Sequence, residues 1–200
     1  MNRKSYQFCL IIFLQFAVHQ TNIAQRISFG TYASEGIMIQ NLVPQGLDFN
    51  LAAGGVLVAG LNQTVQVGLM DDEAVVLEIQ AQADLDITVE IEIPAFLMLN
   101  VSNTIPVSLN WAYSNTGAVD IMTARSQAVT LPSGFQTFTI PVIRRSSGAP
   151  GPPPTPSHQG YTAPTASAYL FIYGNLGPIG NINAGLYDGI INVTVSYTQI

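Results

Sequence analysis

The sequence predicts an all-β fold, a sandwich or barrel of antiparallel strands. The first observation is a period-two alternation, clearest over Leu77–Ile93, where apolar side chains take every odd position. The second is the spacing of turns, because clusters of Gly, Asn, Asp and Pro separate short apolar runs at intervals of roughly 8–12 residues. The third is that no segment after residue 24 shows a sustained helical period, with only Gly117–Ala128 ambiguous. Parallel strands joined by helices are therefore excluded.

The alternating run Leu77–Ile93 is longer than a typical strand of about 5–6 residues. We expect a break near Gln82–Asp84 that produces two antiparallel strands. Pro94 ends the second strand because proline has no N–H to donate. The other predicted strands are Gly36–Gln40, Gly46–Leu51, Gln63–Leu69, Phe96–Val101, Val107–Tyr113, Gln136–Ile143, Ala168–Tyr173 and Gly189–Tyr197.

The first 24 residues are predicted to be a secretory signal peptide. Arg3 and Lys4 make a basic start, and the apolar run Phe8–Val18 is shorter than the about 20 residues that span a membrane. A cut after the small residue Ala24 leaves one domain, residues 25–200, with a proline-rich surface loop at 144–164. This predicts a secreted protein of the cell surface or periplasm and not a transmembrane protein.

The composition after residue 24 limits both partners and chemistry. Four arginines remain against twelve acidic residues, and this formal charge near −8 disfavours nucleic acid, whose phosphates are bound by basic side chains. Lys4 and Cys9, the only lysine and cysteine, lie in the predicted signal, so a thiol nucleophile, a lysine Schiff base and an internal disulfide are excluded. The remaining histidine, His158, lies in the proline-rich loop, a poor mount for a catalytic group. We predict a protein that is not an enzyme and that needs no cofactor.

Carboxylates line the polar side of the alternating segment, and they include Asp84, Asp86, Glu90 and Glu92. Side chains two residues apart on a strand face are about 7 Å apart, too far for a neighbouring pair alone to chelate one ion. The simpler interpretation is the solvent face of an amphipathic strand. A carboxylate hydrolase that uses a pair such as Glu90 and Glu92 across a cleft is kept as an alternative.

A second acidic group lies in the turn after Gln63–Leu69. Asp71, Asp72 and Glu73 are weak calcium candidates, because a turn can curl carboxylates and carbonyls around one ion. Their spacing matches no EF-hand loop, and a solvated turn is the simpler interpretation. No metal site is therefore predicted.

Trp111, the only tryptophan, shares one face of a predicted strand with Tyr113. The two rings are candidates for stacking on a sugar, which makes a carbohydrate-binding module the alternative function, and packing in the core is the simpler interpretation. Asn62, Asn100 and Asn192 each begin an Asn-x-Ser/Thr sequon, which matters only in a host that glycosylates.

The C-terminal stretch Ala184–Tyr197 contains Ala-Gly-x-Tyr, a glycine and then an alternating strand that ends at tyrosine. It resembles the closing motif of bacterial spore coat U-like and fimbrial pilin-like secreted domains. Gly46-Leu-Asp-Phe49 and the segment Ala74–Pro94 resemble the same group, in the same order. The resemblance implies an immunoglobulin-like β-sandwich, exported by a Gram-negative bacterium, that acts without catalysis as a structural or adhesive surface protein or a fimbria-like subunit.

In pilins a strand from a neighbouring subunit completes the fold, and the resemblance therefore implies self-association or association with other surface subunits by strand exchange. The candidate donor is the alternating segment Gln25–Gln40 at the predicted mature N-terminus, with Ile27, Phe29, Ile37 and Ile39 as its apolar side chains.

Overall fold

A computed structural model gives the fold of residues 24–44, 46–54, 57–144, 160 and 162–198. The predicted signal segment before residue 24 and most of the predicted loop at 144–164 lie outside these described residues.

The described residues form eleven strands and two short helices. The strands are β1 (Ala24–Ala33), β2 (Met38–Asn41), β3 (Gln63–Val67), β4 (Val75–Gln82), β5 (Asp86–Glu92), β6 (Phe96–Asn100), β7 (Asn103–Ser114), β8 (Val129–Thr130), β9 (Thr137–Pro141), β10 (Thr165–Ile179) and β11 (Leu186–Tyr197). The helices are α1 (Phe49–Ala52) and α2 (Ile121–Ser126). Neither of them is long or apolar enough to cross a membrane.

The strands pair into two sheets that share one strand. In the front sheet β11 pairs with β1, β5 and β6, and β5 also pairs with β9. In the back sheet β10 pairs with β3, β4 and β7, while β2 and β8 lie outside β4 and β7. The first half of β7 pairs with β6 in the front sheet, so β7 passes from one sheet to the other. All these pairings are antiparallel except β1 with β11, and the predicted all-β antiparallel sandwich is confirmed.

The alternating segment 77–93 supplies core side chains to both sheets. Its buried members, each at most 1% exposed, are Leu77, Ile79, Ala81, Ile87, Val89 and Ile91. Each of the Leu, Ile and Val side chains among them contributes roughly 1.5–3 kcal/mol relative to full exposure. The predicted break is present, because β4 ends at Gln82 and β5 begins at Asp86.

The two strands on either side of that break do not pair with each other, as a hairpin would. β4 pairs with β2 and β10, whereas β5 pairs with β9 and β11. Both sides of each strand are therefore occupied, and the turn carries the chain from the back sheet to the front sheet. Within both strands the odd positions point inward, because both sheets face the same core.

The predicted strand Gly46–Leu51 is wrong. Leu47 makes one isolated bridge to Ile27, and the chain then turns into α1. Asp48 caps this helix, since its carboxylate accepts the N–H groups of Asn50 and Leu51, each at 2.9 Å. A short aspartate side chain satisfies helix N–H groups that a strand would have used for pairing.

The ambiguous stretch Gly117–Ala128 contains α2, capped by Asp120 through the N–H of Thr123 at 2.7 Å. This cap lowers the pKa of Asp120, because the backbone N–H and the hydroxyl of Thr123 both stabilise the carboxylate. The helix lies over the outer face of the back sheet and completes a second, smaller apolar cluster. Its buried members are Val43, Val76, Ala112, Ala124, Tyr169 and Phe171.

Candidate functional site: the N-terminal strand

β1 and β11 run parallel over ten residue pairs, from Ala24 opposite Leu186 to Ala33 opposite Val195. Alternate side chains of β1 point into the sandwich, and Ile27 is 1% exposed within the main core cluster. Phe29 packs against the same cluster and is half-buried. The first strand of the described chain therefore closes one side of the core.

The other side of β1 is almost unpaired. Among the described residues its only bridge is that of Ile27 with Leu47. Gly46 makes this close approach possible, because it has a φ of 74° and a side-chain carbon there would collide with the carbonyl oxygen of Ile27. Beside this bridge, a cleft of about 180 Å³ lies between β1 and the residues from the end of β2 to Gly46. Its lining includes Arg26, Ser28, Asn41 and Pro44.

The candidate donor segment Gln25–Gln40 is two strands in two sheets. Ile27 and Phe29 lie in β1 of the front sheet, whereas Ile39 lies in β2, which pairs with β4 of the back sheet. Ile37, 9% exposed, comes immediately before β2. A tight turn separates the two strands, since the N–H of Ile37 donates to the carbonyl of Ser34 at 3.1 Å. Of the candidate donor segment, only the residues of β1 therefore lie along β11.

The turn that carries the calcium candidates is held by hydrogen bonds and an ion pair within the protein. Asp71 accepts the N–H of Gly68 at 2.7 Å, and the fully exposed Asp72 lies 3.7 Å from the guanidinium of Arg125. Arg125 is 7% exposed and donates to the carbonyls of Met70, at 3.2 Å, and of Ala74. Within the described ranges no group of three or more His, Cys, Asp or Glu side chains is placed to hold a metal ion. Asp71, Asp72 and Glu73 therefore do not form such a group.

The carboxylate row lies on an outer surface. Glu90 and Glu92 are exposed on the outer face of the front sheet, where Glu92 accepts the side-chain amide of Asn192 at 3.2 Å. Asp84 lies in the turn between β4 and β5, Asp86 begins β5, and both have interaction partners of their own. Glu90 and Glu92 therefore do not flank an enclosed cleft of the kind that carboxylate hydrolysis requires.

Trp111 lies inside the sandwich. Its side chain is 1% exposed, so the indole has no face open to a ligand in solvent. Tyr113 is half-buried and stacks on Phe138, with ring centroids 6.1 Å apart and an interplanar angle of 25°. A sugar-stacking pair at these two residues would require the core to open, so a carbohydrate site on this sandwich needs another platform.

Sequence reasoning missed two contributors to these surfaces. In the sequence Arg125 looks like an ordinary surface arginine of a helix. Only the tertiary structure brings its guanidinium to the carbonyls of Met70 and Ala74, more than 50 residues away. Gly46 carried a usable signal, since glycine before an Asp N-cap indicates a special backbone position. No protein-family model matches the chain, and no curated protein matches it, so the functional assignment rests on its residues and their geometry.

Proposed function

We propose that this chain is a secreted, non-enzymatic structural or adhesive protein of the cell surface, whose copies associate by exchanging β1. The observation that carries the proposal is the attachment of β1. After a cut behind Ala24, β1 keeps nine residue pairs with β11 on one side, from Gln25 opposite Tyr187 to Ala33 opposite Val195, and a single bridge on the other within the described chain. A strand held in this way is a detachable part of its own fold.

Exchange conserves every contact that β1 makes. If the β1 of a second copy lies along β11, its Ile27 fills the same core position and the same nine pairs of the mature strand form, so the exchanged and closed forms have similar contact energies. A vacated site leaves an open sheet edge beside β11 and exposes core side chains, which favours recapture of a strand. The turn at Ser34–Ile37 is short, and short hinges favour exchange over closure.

The remaining features support a surface role without catalysis. The segment before Ala24 has the pattern of an export signal, and an exported chain without a cysteine after residue 24 depends on its apolar core instead of disulfides. The acidic excess keeps separate copies soluble before they associate. The carboxylates that a hydrolase would use lie on the outer face of the front sheet.

A covalent lock tests the exchange directly. Tyr32 of β1 and Thr194 of β11 are register partners, and both side chains are exposed. Neighbouring strands are about 4.8 Å apart, within reach of a disulfide, and the domain has no cysteine to compete. The double variant Y32C/T194C, oxidised as an isolated dilute monomer, should stay monomeric at concentrations where the unmodified protein forms multimers in light scattering, and reduction should restore the multimers.

A matched lock elsewhere isolates the effect of β1. Thr88 of β5 and Thr139 of β9 are also register partners, with hydroxyl oxygens 3.1 Å apart, but neither strand moves in the exchange. The oxidised variant T88C/T139C should therefore form multimers like the unmodified protein. Unchanged multimers in oxidised Y32C/T194C, or a strictly monomeric unmodified protein at every concentration, would contradict the proposal.

A further inference from the structure

We propose that Gln25 is converted to an N-terminal pyroglutamate, the five-membered lactam that an N-terminal glutamine forms. This modification site rests on the export signal of the proposed function, because only a cut after Ala24 makes Gln25 the first residue. It does not depend on the exchange of β1.

Burial is the first observation. Gln25 is 4% exposed, and its side chain shares the inward side of β1 with Ile27. Its register partner on β11 is Tyr187, whose side chain is fully buried. A long polar side chain at the very start of a mature domain would ordinarily extend into solvent, as termini generally do.

The lack of partners is the second observation. Neither the side-chain nitrogen Nε2 nor the oxygen Oε1 of Gln25 has a hydrogen-bond partner among the residues that the structure describes. Most buried side-chain polar atoms in folded proteins have one, because a bare buried amide loses its bonds to water without replacement. The buried amide is therefore poorly matched to its site.

Cleavage after Ala24 places a charged α-amine on the residue whose side-chain amide is already buried without a partner, and packing that amine against the sheet would add to the mismatch. A charge taken out of water without a partner is more unfavourable than a neutral amide. The two groups, however, can react with each other. In its neutral form the α-amine attacks Cδ, the bond between the α-nitrogen and Cδ forms, and the bond between Cδ and Nε2 breaks. Nε2 leaves with one of the amine protons as ammonia, and no oxidant or co-reactant is consumed.

The product suits the site better than either starting group. The lactam carries no charge, keeps one carbonyl oxygen and lacks the two donor hydrogens of Nε2 that find no acceptor. Ring closure takes place on the free N-terminus, after cleavage and before β1 packs along β11. Once the strand is packed, the lactam is buried and protected from aminopeptidases.

Mass spectrometry of the exported protein tests this inference. The full chain is expressed in a host that exports it, and the mature protein is digested with a protease that cleaves after glutamate, which releases residues 25–35 because Glu35 is the first acidic residue after the cut. The expected peptide is lighter than the open form by the mass of one ammonia. An isotope-labelled synthetic peptide with open Gln25, added before digestion, measures any ring closure caused by handling.

The variant Q25N is the matched control, because the corresponding lactam of asparagine would need a four-membered ring. Its N-terminal peptide should keep the unmodified mass and should lose its first residue to an aminopeptidase after denaturation, whereas the unmodified protein resists. A mature N-terminus at Gln25 with an open side chain, in the same proportion as the labelled standard, would overturn the inference and leave the proposed export intact. An N-terminus at another residue would overturn both.

Discussion

The hydroxyl of Tyr197 donates a hydrogen bond to the carbonyl of Gly36 at 3.0 Å, across 161 residues of sequence. The same hydroxyl accepts the N–H of Gln82 at 3.1 Å. Gly36 lies in the turn between β1 and β2, and Gln82 ends β4. One side chain at the end of β11 thus holds together two places where the chain leaves one sheet for the other.

The variant Y197F removes both hydrogen bonds and keeps the ring. Each bond contributes about 1 kcal/mol net, so we expect a loss of about 2 kcal/mol in the free energy of unfolding. Urea titration followed by the fluorescence of the buried Trp111 measures it. Y32F is the control, because Tyr32 is 59% exposed, and it should change stability little. Equal stability of Y197F and Y32F would show that the Tyr197 bonds do not hold the fold.

The contact of Gly46 with β1 predicts a difference between two glycine variants. Gly46 and Gly54 have similar left-handed backbones, with φ of 74° and 78°, and alanine in this region costs roughly 1–2 kcal/mol. A side-chain carbon at Gly54 meets open space, whereas at Gly46 it meets the carbonyl of Ile27. G46A should therefore lose more stability than G54A.

Hydrogen exchange locates that additional loss. In G46A the amides of residues 24–33 should exchange faster than in G54A, because β1 is displaced while the rest of the front sheet keeps its pairs. Similar exchange in the two variants at these amides would contradict the importance of the Gly46 contact.

Arg125 predicts that the turn at 69–74 depends on a guanidinium and not on a metal ion. R125M keeps the buried stem but leaves the carbonyl of Met70 without its charged donor, and we expect a loss of roughly 1.5–3 kcal/mol. D72N removes only an ion pair with a fully exposed carboxylate, which water and salt screen, so it should lower stability less than R125M does. Thermal melts of both variants measure the difference. A melting temperature of the unmodified protein that falls on addition of a calcium chelator would contradict this account of the turn.

The buried tyrosines predict loss of stability at alkaline pH. Burial raises the pKa of Tyr169, Tyr173 and Tyr187 above the usual 10.0, with the charge of Glu78 adding to the effect at Tyr169. The folded state therefore binds these protons more tightly than the unfolded state. Stability is fully present below pH 10.0 and is lost as the pH rises towards the folded-state pKa values. Melting temperature and tyrosinate absorbance, followed together, should change in the same pH range.

The same measurement on Y187F separates one residue from the rest. Tyr187 is fully buried and donates to the carbonyl of Asn183 at 2.7 Å, so Y187F should be less stable near neutral pH. Its stability should also fall less steeply above pH 10.0. A slope identical to that of the unmodified protein would show that Tyr187 does not contribute to the alkaline transition.

The sequence predicts the parts of this fold that are local in origin. Strict alternation over residues 77–93 identifies the inward side chains of β4 and β5, because a period of two determines the face of a strand without knowledge of its neighbours. The break at Gln82–Asp84 follows from strand length. The capping aspartate Asp48 is also a local signal, but the apolar residues around it favour a strand.

The sequence does not predict in the same way which strands pair with each other. Whether a strand pairs in parallel or antiparallel depends on contacts between distant segments, and nothing in residues 24–33 specifies β11, more than 150 positions away. The sequence therefore predicts that the candidate donor segment is apolar and alternating, but it does not predict the division of that segment between two sheets. Burial of Trp111 and Arg125 is likewise decided by the tertiary structure.

The parallel course of β1 and β11 also determines how the domain would bear tension. β1 starts at one end of the front sheet, and β11 finishes about 30 Å away at the other. A force that pulls the beginning of β1 away from the end of β11 loads the two strands in shear. All their hydrogen bonds then resist together instead of breaking one after another. In an exchanged assembly the same parallel pairing of β1 with β11 would join one subunit to the next and would bear the force between them.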